Sequence, residues 1–435
     1  MLFLQKAGGR FPVGATTFKL PVPRILFSRA KVAAGKSDGL KPALLLQEVV
    51  FTAYYPAALP HGNVSYGIDW LLRPLELSLL GYARFSGFSS WILWLIVHLY
   101  GRLLKIPVYR NAPLLNPYEN TASSSPWPLV IFSHGLRGSR TAYSQLCTRI
   151  ASSGRVVLAI EHRDGSGHAC VPSHGDPILY IRKPDLSWPS GQQVDEHTMM
   201  SFHREQLAFR RREVYYTFGA MRDLVLEGRQ KAGELQAVDG ASIDWSSWSI
   251  GSQKKFIECD EDVVLVGHSF GGATVLSILT NNPPESECLI PVHRALILDP
   301  WFEALPLPDL HFIDKAPPRV FIINSEQFTL WKDHFQLLTD LVESWEQGQG
   351  QLVTIVRSYH KSFSDFPILP LVTTGTARLI MDRVSSLCLG FLDGNVDELI
   401  GVLSPRKMEI RVIGQHPDGR PKRELVGDLG DIIVH

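Results

Sequence analysis

Between residues 128 and 356 the chain carries six short, almost uninterrupted apolar runs: Pro128-Leu-Val-Ile-Phe, Arg155-Val-Val-Leu-Ala-Ile, Asp262-Val-Val-Leu-Val, Arg294-Ala-Leu-Ile-Leu, Arg319-Val-Phe-Ile-Ile and Gln351-Leu-Val-Thr-Ile-Val. Runs of this length that lack polar alternation are how strands covered on both faces read. Helical patterns separate them, and strand-helix alternation calls for an α/β fold with a mostly parallel central sheet and helices on both faces. With 435 residues and 45% apolar content, the chain can bury a core of that size.

The rhythm predicts one catalytic-sized body over 46–403, beginning with the strand-like Val49-Val-Phe-Thr-Ala-Tyr-Tyr that Pro56 closes. Residues 1–45 mix Gly, Pro and basic residues and are expected to form an N-terminal extension. Residues about 224–261 break the pattern and read as an insertion, and 404–435 as a partly disordered tail. No repeat of solenoid type is present in the sequence.

The most specific motif lies where the third run meets a helix. Gly267-His-Ser-Phe-Gly271 fits G-x-S-x-G, followed by Gly272 and the apolar Ala273-Thr-Val-Leu. A serine on such a strand-helix turn stands exposed above the sheet, and the flanking positions must be small for strand and helix to approach. Ser269 is thus the candidate nucleophile. A hydroxyl needs a base and a carboxylate to orient that base, and in the α/β-hydrolase fold that this turn implies, acid and then base follow on loops after later strands. Asp299 closes Ala295-Leu-Ile-Leu, whereas Asp309, Asp314 and Asp333 sit in loop or helix contexts. Of His311, His334, His360, His416 and His435, only His360 comes just after a strand. The expected oxyanion donors are the backbone N–H groups of Phe270, after the nucleophile, and of Leu136, in the loop Ser133-His-Gly-Leu.

Composition narrows the partners. The 43 basic and 43 acidic residues cancel, so no global field favours nucleic acid. Five cysteines lie outside any CxxC pair, and Lys6 and Arg10 interrupt the opening apolar run. An intracellular protein without a secretory signal, cytoplasmic or peripherally membrane-associated, is the expectation. The stretch from Trp91 to Gly101 is too short to span a bilayer, but Trp91, Trp94, Leu95 and Leu99 beside Arg102 and Lys105 suit a helix lying at a membrane or lipoprotein surface. His162, Asp164 and His168 cluster in a loop and are read as locally hydrogen-bonded, with no metal site. The arginine-rich run from His203 to Glu213 reads as a solvated, ion-paired helix face.

Taken together, Phe132-Ser-His-Gly-Leu, Glu161-His-Arg-Asp, Gly267-His-Ser-Phe-Gly-Gly-Ala-Thr-Val, Leu298-Asp-Pro-Trp, Phe321-Ile-Ile-Asn-Ser-Glu and His360 with Phe363-Ser-Asp-Phe resemble the plasma and type II platelet-activating factor acetylhydrolases, over about residues 45 to 400. The chain looks like a fungal or similarly distant relative, departing at Pro300, Lys361 and the insertion before the nucleophile strand. The resemblance implies a serine esterase that removes the sn-2 acetyl, or a short or oxidised acyl group, from glycerophospholipids without calcium or any other cofactor. It implies the triad Ser269, Asp299 and His360, and places Trp301 where the family has a tryptophan near the acyl pocket. Other readings are a carboxylesterase or thioesterase acting on soluble metabolites, and a catalytically silent lipid-binding module.

Overall fold

In the computed structural model, residues 1–33, 39–59, 65–86, 98–119, 125–188, 195–249, 254–305, 317–345 and 349–435 are described. Thirteen strands join one sheet: β1 (Leu2–Phe3), β2 (Val13–Leu26), β3 (Leu45–Pro56), β4 (Tyr66–Asp69), β5 (Leu104–Arg110), β6 (Trp127–Ser133), β7 (Val156–Glu161), β8 (Gln236–Ala237), β9 (Ile257–His268), β10 (Val292–Leu298), β11 (Arg319–Ser325), β12 (Gly350–Ile355) and β13 (Ile432–Val434). The helices whose bounds lie among the described residues include α1 (Leu75–Ser86), α2 (Ser144–Ser152), α3 (Glu196–Glu227), α4 (Phe270–Leu279), α5 (Glu326–Thr329), α6 (Lys332–Glu343), α7 (Gly375–Asp393) and α8 (Val396–Val402).

The six apolar runs become β6, β7, β9, β10, β11 and β12, which pair in parallel in the order β7-β6-β9-β10-β11-β12. Alternate residues of each strand face opposite layers. Leu129 and Ile131 of β6 join a core with Leu207, Phe218 and Met221 of α3 and with Leu276 of α4. Val130 and Phe132 join a second core with Leu146 of α2 and with Val384 and Phe391 of α7. With both faces covered, the buried stretches of these strands are apolar at nearly every position, and each large side chain so buried contributes about 1.5–3 kcal/mol relative to exposure. All ten residues of α4 are buried, which explains a helix apolar all round. This is the α/β-hydrolase architecture.

The ends of the chain are part of this body, contrary to expectation. Within residues 1–45, β2 runs antiparallel to β3 from Val13 opposite Pro56 to Leu26 opposite Leu45, and buries Phe18. Proline is disfavoured inside a sheet because it has no N–H to give to the ladder. Pro21 in fact borders a register shift, where a missing N–H is tolerated. In the presumed tail, Ile410–Gln415 and Pro421–Leu425 form a hairpin, and β13 closes the sheet antiparallel to β12. The presumed insertion sends β8 to pair with β2 and Trp248 into the core, and β9 starts inside it at Ile257. The five cysteines are unpaired.

Candidate active site

β9 turns into α4 at Ser269, whose backbone adopts φ 57° and ψ −121°. Such a conformation costs a residue with a side chain on the order of 1–3 kcal/mol, and the surroundings hold it. Ser269 N–H donates to Leu298 O at 2.9 Å, and its carbonyl accepts from Gly272 N at 2.9 Å and Trp301 N at 3.1 Å. The flanking glycines are required by contact: a Cβ on Gly267 would lie 2.2 Å from Gly271 O, and one on Gly271 would lie 2.0 Å from Ser133 O. Gly271→Ala is therefore expected to cost about 3 kcal/mol or more of stability, read as a lowered denaturation midpoint. Gly219→Ala, on α3 with nothing within 4 Å of the added carbon, should be neutral or mildly stabilising. Equal midpoints for the two variants would refute this account of the turn.

The structure brings Ser269, Asp299 and His360 together. His360 Nε2 lies 2.9 Å from Ser269 Oγ, and His360 Nδ1 lies 2.6 Å from Asp299 Oδ2. Asp299 is fully buried, and it also accepts from Ser325 N–H on Oδ1 and Ser325 Oγ–H on Oδ2, each at 2.7 Å. Three donors compensate the burial of its carboxyl group. The donor at Nδ1 assigns the tautomer, leaving Nε2 to accept from the serine hydroxyl. Two supports of His360 carry no signal in the sequence. Phe328 stacks on its ring at 4.2 Å and 6°, and the Gln327 side chain accepts its backbone N–H at 3.0 Å. Both follow Ser325-Glu326 in the matched motif, yet no spacing rule singles them out.

A hydrogen-bond chain links the loop after β6 to the backbone of His360. Gly135 N–H donates to Tyr143 Oη at 3.2 Å, Tyr143 hydroxyl donates to His268 Nδ1 at 2.8 Å, and His268 Nε2–H donates to His360 O at 3.0 Å. Burial, with a smaller contribution from neighbouring His360, pushes the pKa of His268 well below the usual imidazole range. A neutral ring is what this donor-acceptor order needs. The same loop lies over the nucleophile, because a Cβ on Gly135 would meet Ser269 Cβ at 2.8 Å. Leu136 follows this glycine in the chain, and Phe270, as the first residue of α4, has an N–H with no intrahelical acceptor. Trp301 packs 5.6 Å from the Phe270 ring and edge-on to His203 at 5.3 Å.

Other sequence-predicted residues lie elsewhere. His334 is buried between Phe302 and Trp331, and burial lowers its pKa to about 4. His435 pairs with Thr354, while Asp309, Asp314 and His311 fall outside the described residues. Trp91, Trp94 and Leu95 of the expected surface helix also fall outside them, whereas Leu99 is 65% exposed. No helix among the described residues is long and apolar enough to cross a membrane. His162 bonds to Glu213 and Ser133, Asp164 to Arg210, and His168 to Ser78. The run from His203 to Glu213 corrects the expectation of a solvated face: Arg210 and Glu213 are fully buried, held by partners distant in the chain.

Residues 5–380 match the family model of platelet-activating factor acetylhydrolase, isoform II. The chain belongs to this family. A platelet-activating factor acetylhydrolase of Canis lupus familiaris is 29% identical over 75% of this chain and 65% of its own length. A protein of Schizosaccharomyces pombe is 30% identical over 78% of this chain and 72% of its own. The chain thus spans about two thirds of the length of these relatives. Among solved structures, a ferulic acid esterase from Streptomyces cinnamoneus superposes with a TM-score of 0.50 at 15% identity, covering 88% of this chain and 91% of that one; this likeness is one of fold. The family match ends within α7, so the hairpin and β13 lie beyond the segment it covers.

Proposed function

We propose that this member of the platelet-activating factor acetylhydrolase family is a serine esterase that hydrolyses the sn-2 acetyl, or a short or oxidised acyl ester, of glycerophospholipids without calcium. The observation that carries the reading is the continuous Ser269–His360–Asp299 hydrogen-bonded array beneath a loop whose Gly135, the residue before Leu136, packs against the serine. His360 Nε2 takes the proton of Ser269 as Oγ attacks the ester carbonyl, and Asp299 stabilises the imidazolium. The N–H groups of Leu136 and Phe270 bind the oxyanion, the electrophilic role that a bound cation would otherwise have. His360 then protonates the departing lysophospholipid, and a water that it activates releases the acid from the acyl-serine.

Trp301 limits acyl length in this reading, its ring closing the space beside Phe270. An apolar rim supports docking on a membrane or lipoprotein surface. Leu99 and, in the loop following His360, Leu371 at 79% exposure project into solvent, and the Tyr100 hydroxyl bonds to Pro370 O. Such exposure is typical of surfaces that meet lipid.

The test is hydrolysis of 2-acetyl, 2-hexanoyl and 2-palmitoyl phosphatidylcholine in micelles with calcium chelated, for the wild type and Trp301→Ala. Wild type should release acetate and spare palmitate, and Trp301→Ala should raise the hexanoyl-to-acetyl rate ratio by about tenfold. Cleavage of p-nitrophenyl acetate with no action on any of the lipids would replace this reading with an esterase of soluble metabolites.

A further inference from the structure

Beneath the loop after β6 lies a fully buried cation with no part in the proton transfers. Arg210, on α3, sends Nε to Asp164 Oδ2 at 2.9 Å, Nη1 to His134 O at 2.7 Å and Nη2 to Ser166 Oγ at 2.5 Å. Its guanidinium also covers the ring of Phe270, 4.6 Å from the centroid. Asp164 and Arg210 are both 0% exposed, so the ion pair is worth keeping in apolar surroundings only if its remaining hydrogen-bonding groups are used.

These partners converge on one peptide. Leu136 lies between Gly135, joined to the His134 carbonyl that Arg210 holds, and Arg137, whose N–H donates to Ser166 O at 2.6 Å. Ser166 is in turn fixed by Arg210 through its hydroxyl and by Asp164 Oδ1 through its N–H at 3.0 Å. His134 is held as well: Nδ1–H donates to Gly135 O at 2.8 Å, and Nε2 accepts from His162 N–H at 3.2 Å. Burial, reinforced by the Arg210 charge, pushes the pKa of His134 well below its usual range, in keeping with a neutral ring that both donates and accepts. Arg137 has φ 65°, a conformation that persists only where its neighbours impose it. One guanidinium therefore fixes both sides of the Leu136 peptide and packs on the residue that bears the other donor.

We propose that Arg210 is a positioning residue for the oxyanion hole, its planar fork setting the Leu136 and Phe270 N–H groups relative to each other. The proposal rests on the esterase reading above, in which those groups bind the oxyanion. Oxyanion stabilisation depends on donors preorganised at about 2.7–3.1 Å from the developing charge, so a small shift of one arm is costly. Lysine keeps the charge but has no planar fork to hold three acceptors in fixed directions.

The experiment compares Arg210→Lys and Arg210→Met with wild type, as full chains, on p-nitrophenyl acetate and on its thiono analogue, in which sulfur replaces the carbonyl oxygen. The larger, weakly accepting sulfur gains little from the hole. Both variants should lose about 100-fold in kcat on the oxygen ester with KM changed less than threefold, and less than tenfold on the thiono ester. Should neither variant fold, Ser166→Ala, which removes one acceptor and spares the ion pair, should show the same selective loss at about tenfold. A folded variant with unchanged kcat, or one that loses both esters in equal proportion, overturns the proposal. Failure of the esterase reading looks different: wild type would cleave neither ester, or Ser269→Ala would cleave both as wild type does, and the positioning role falls with it.

Discussion

Ser269→Ala is expected to lower kcat on p-nitrophenyl acetate and on 2-acetyl phosphatidylcholine by on the order of 10⁶-fold, leaving only what the oxyanion donors and substrate binding supply. The basis is the single 2.9 Å contact between Ser269 Oγ and His360 Nε2, since the base has no function without the hydroxyl it activates. His360→Ala should cost about as much, and the double variant should be no worse than either alone, because residues that act as a unit are not additive. Titration of the purified variants against both substrates decides it. Residual activity within a hundredfold of wild type in Ser269→Ala, or additive losses in the double variant, would remove Ser269 as nucleophile.

Asp299→Asn is expected to lower kcat by about 10⁴-fold with little change in fold or KM. The direction of the amide is fixed by Ser325. Its backbone N–H requires an acceptor at the Oδ1 position, 2.7 Å away, so the oxygen of asparagine must take that place and the NH₂ group must face Ser325 Oγ and His360. The hydroxyl can rotate to accept. The imidazole, offered a donor, must accept at Nδ1 and therefore carry its proton on Nε2, where it can no longer take one from Ser269. Asp299→Ala leaves the Ser325 N–H without its buried partner, and should lose stability as well as activity. If Asp299→Asn retains kcat within tenfold, the carboxylate does not set the tautomer.

Much of the frame was legible because its causes are local. The runs in β6, β7, β9, β10, β11 and β12 are apolar at successive positions, since both faces are covered, and short runs in alternation with helices leave few arrangements. The elbow was legible because Gly267 and Gly271 answer a contact between strand and helix that any side chain would close. The edges of the sheet were less so. In β2, Pro21 and Pro23 and the basic residues conceal a strand whose partner, β3, follows only after an intervening segment. Strand pairing there is decided by Phe18 and its neighbours reaching the core, not by propensity.

Arg210 marks the limit most sharply. In the sequence it is one of three adjacent arginines on a helix, a pattern that usually means solvent. It is buried because Asp164, Ser166 and the His134 carbonyl, 46, 44 and 76 residues away in the chain, happen to surround it. Charged residues are buried only where such partners exist, and no local pattern announces them.

The sequence by itself therefore determined the α/β class, the position of the serine turn and the candidates for acid and base, since these depend on spacing along one or two neighbouring elements. Only the tertiary structure decided that His360 reaches both Asp299 and Ser269, 61 and 91 residues away, that His268 and Tyr143 tie its backbone to the loop bearing Leu136, and that Arg210 lies beneath that loop. Those contacts join side chains whose approach is set by how helices and loops pack across the sheet, and packing is a property of the whole chain.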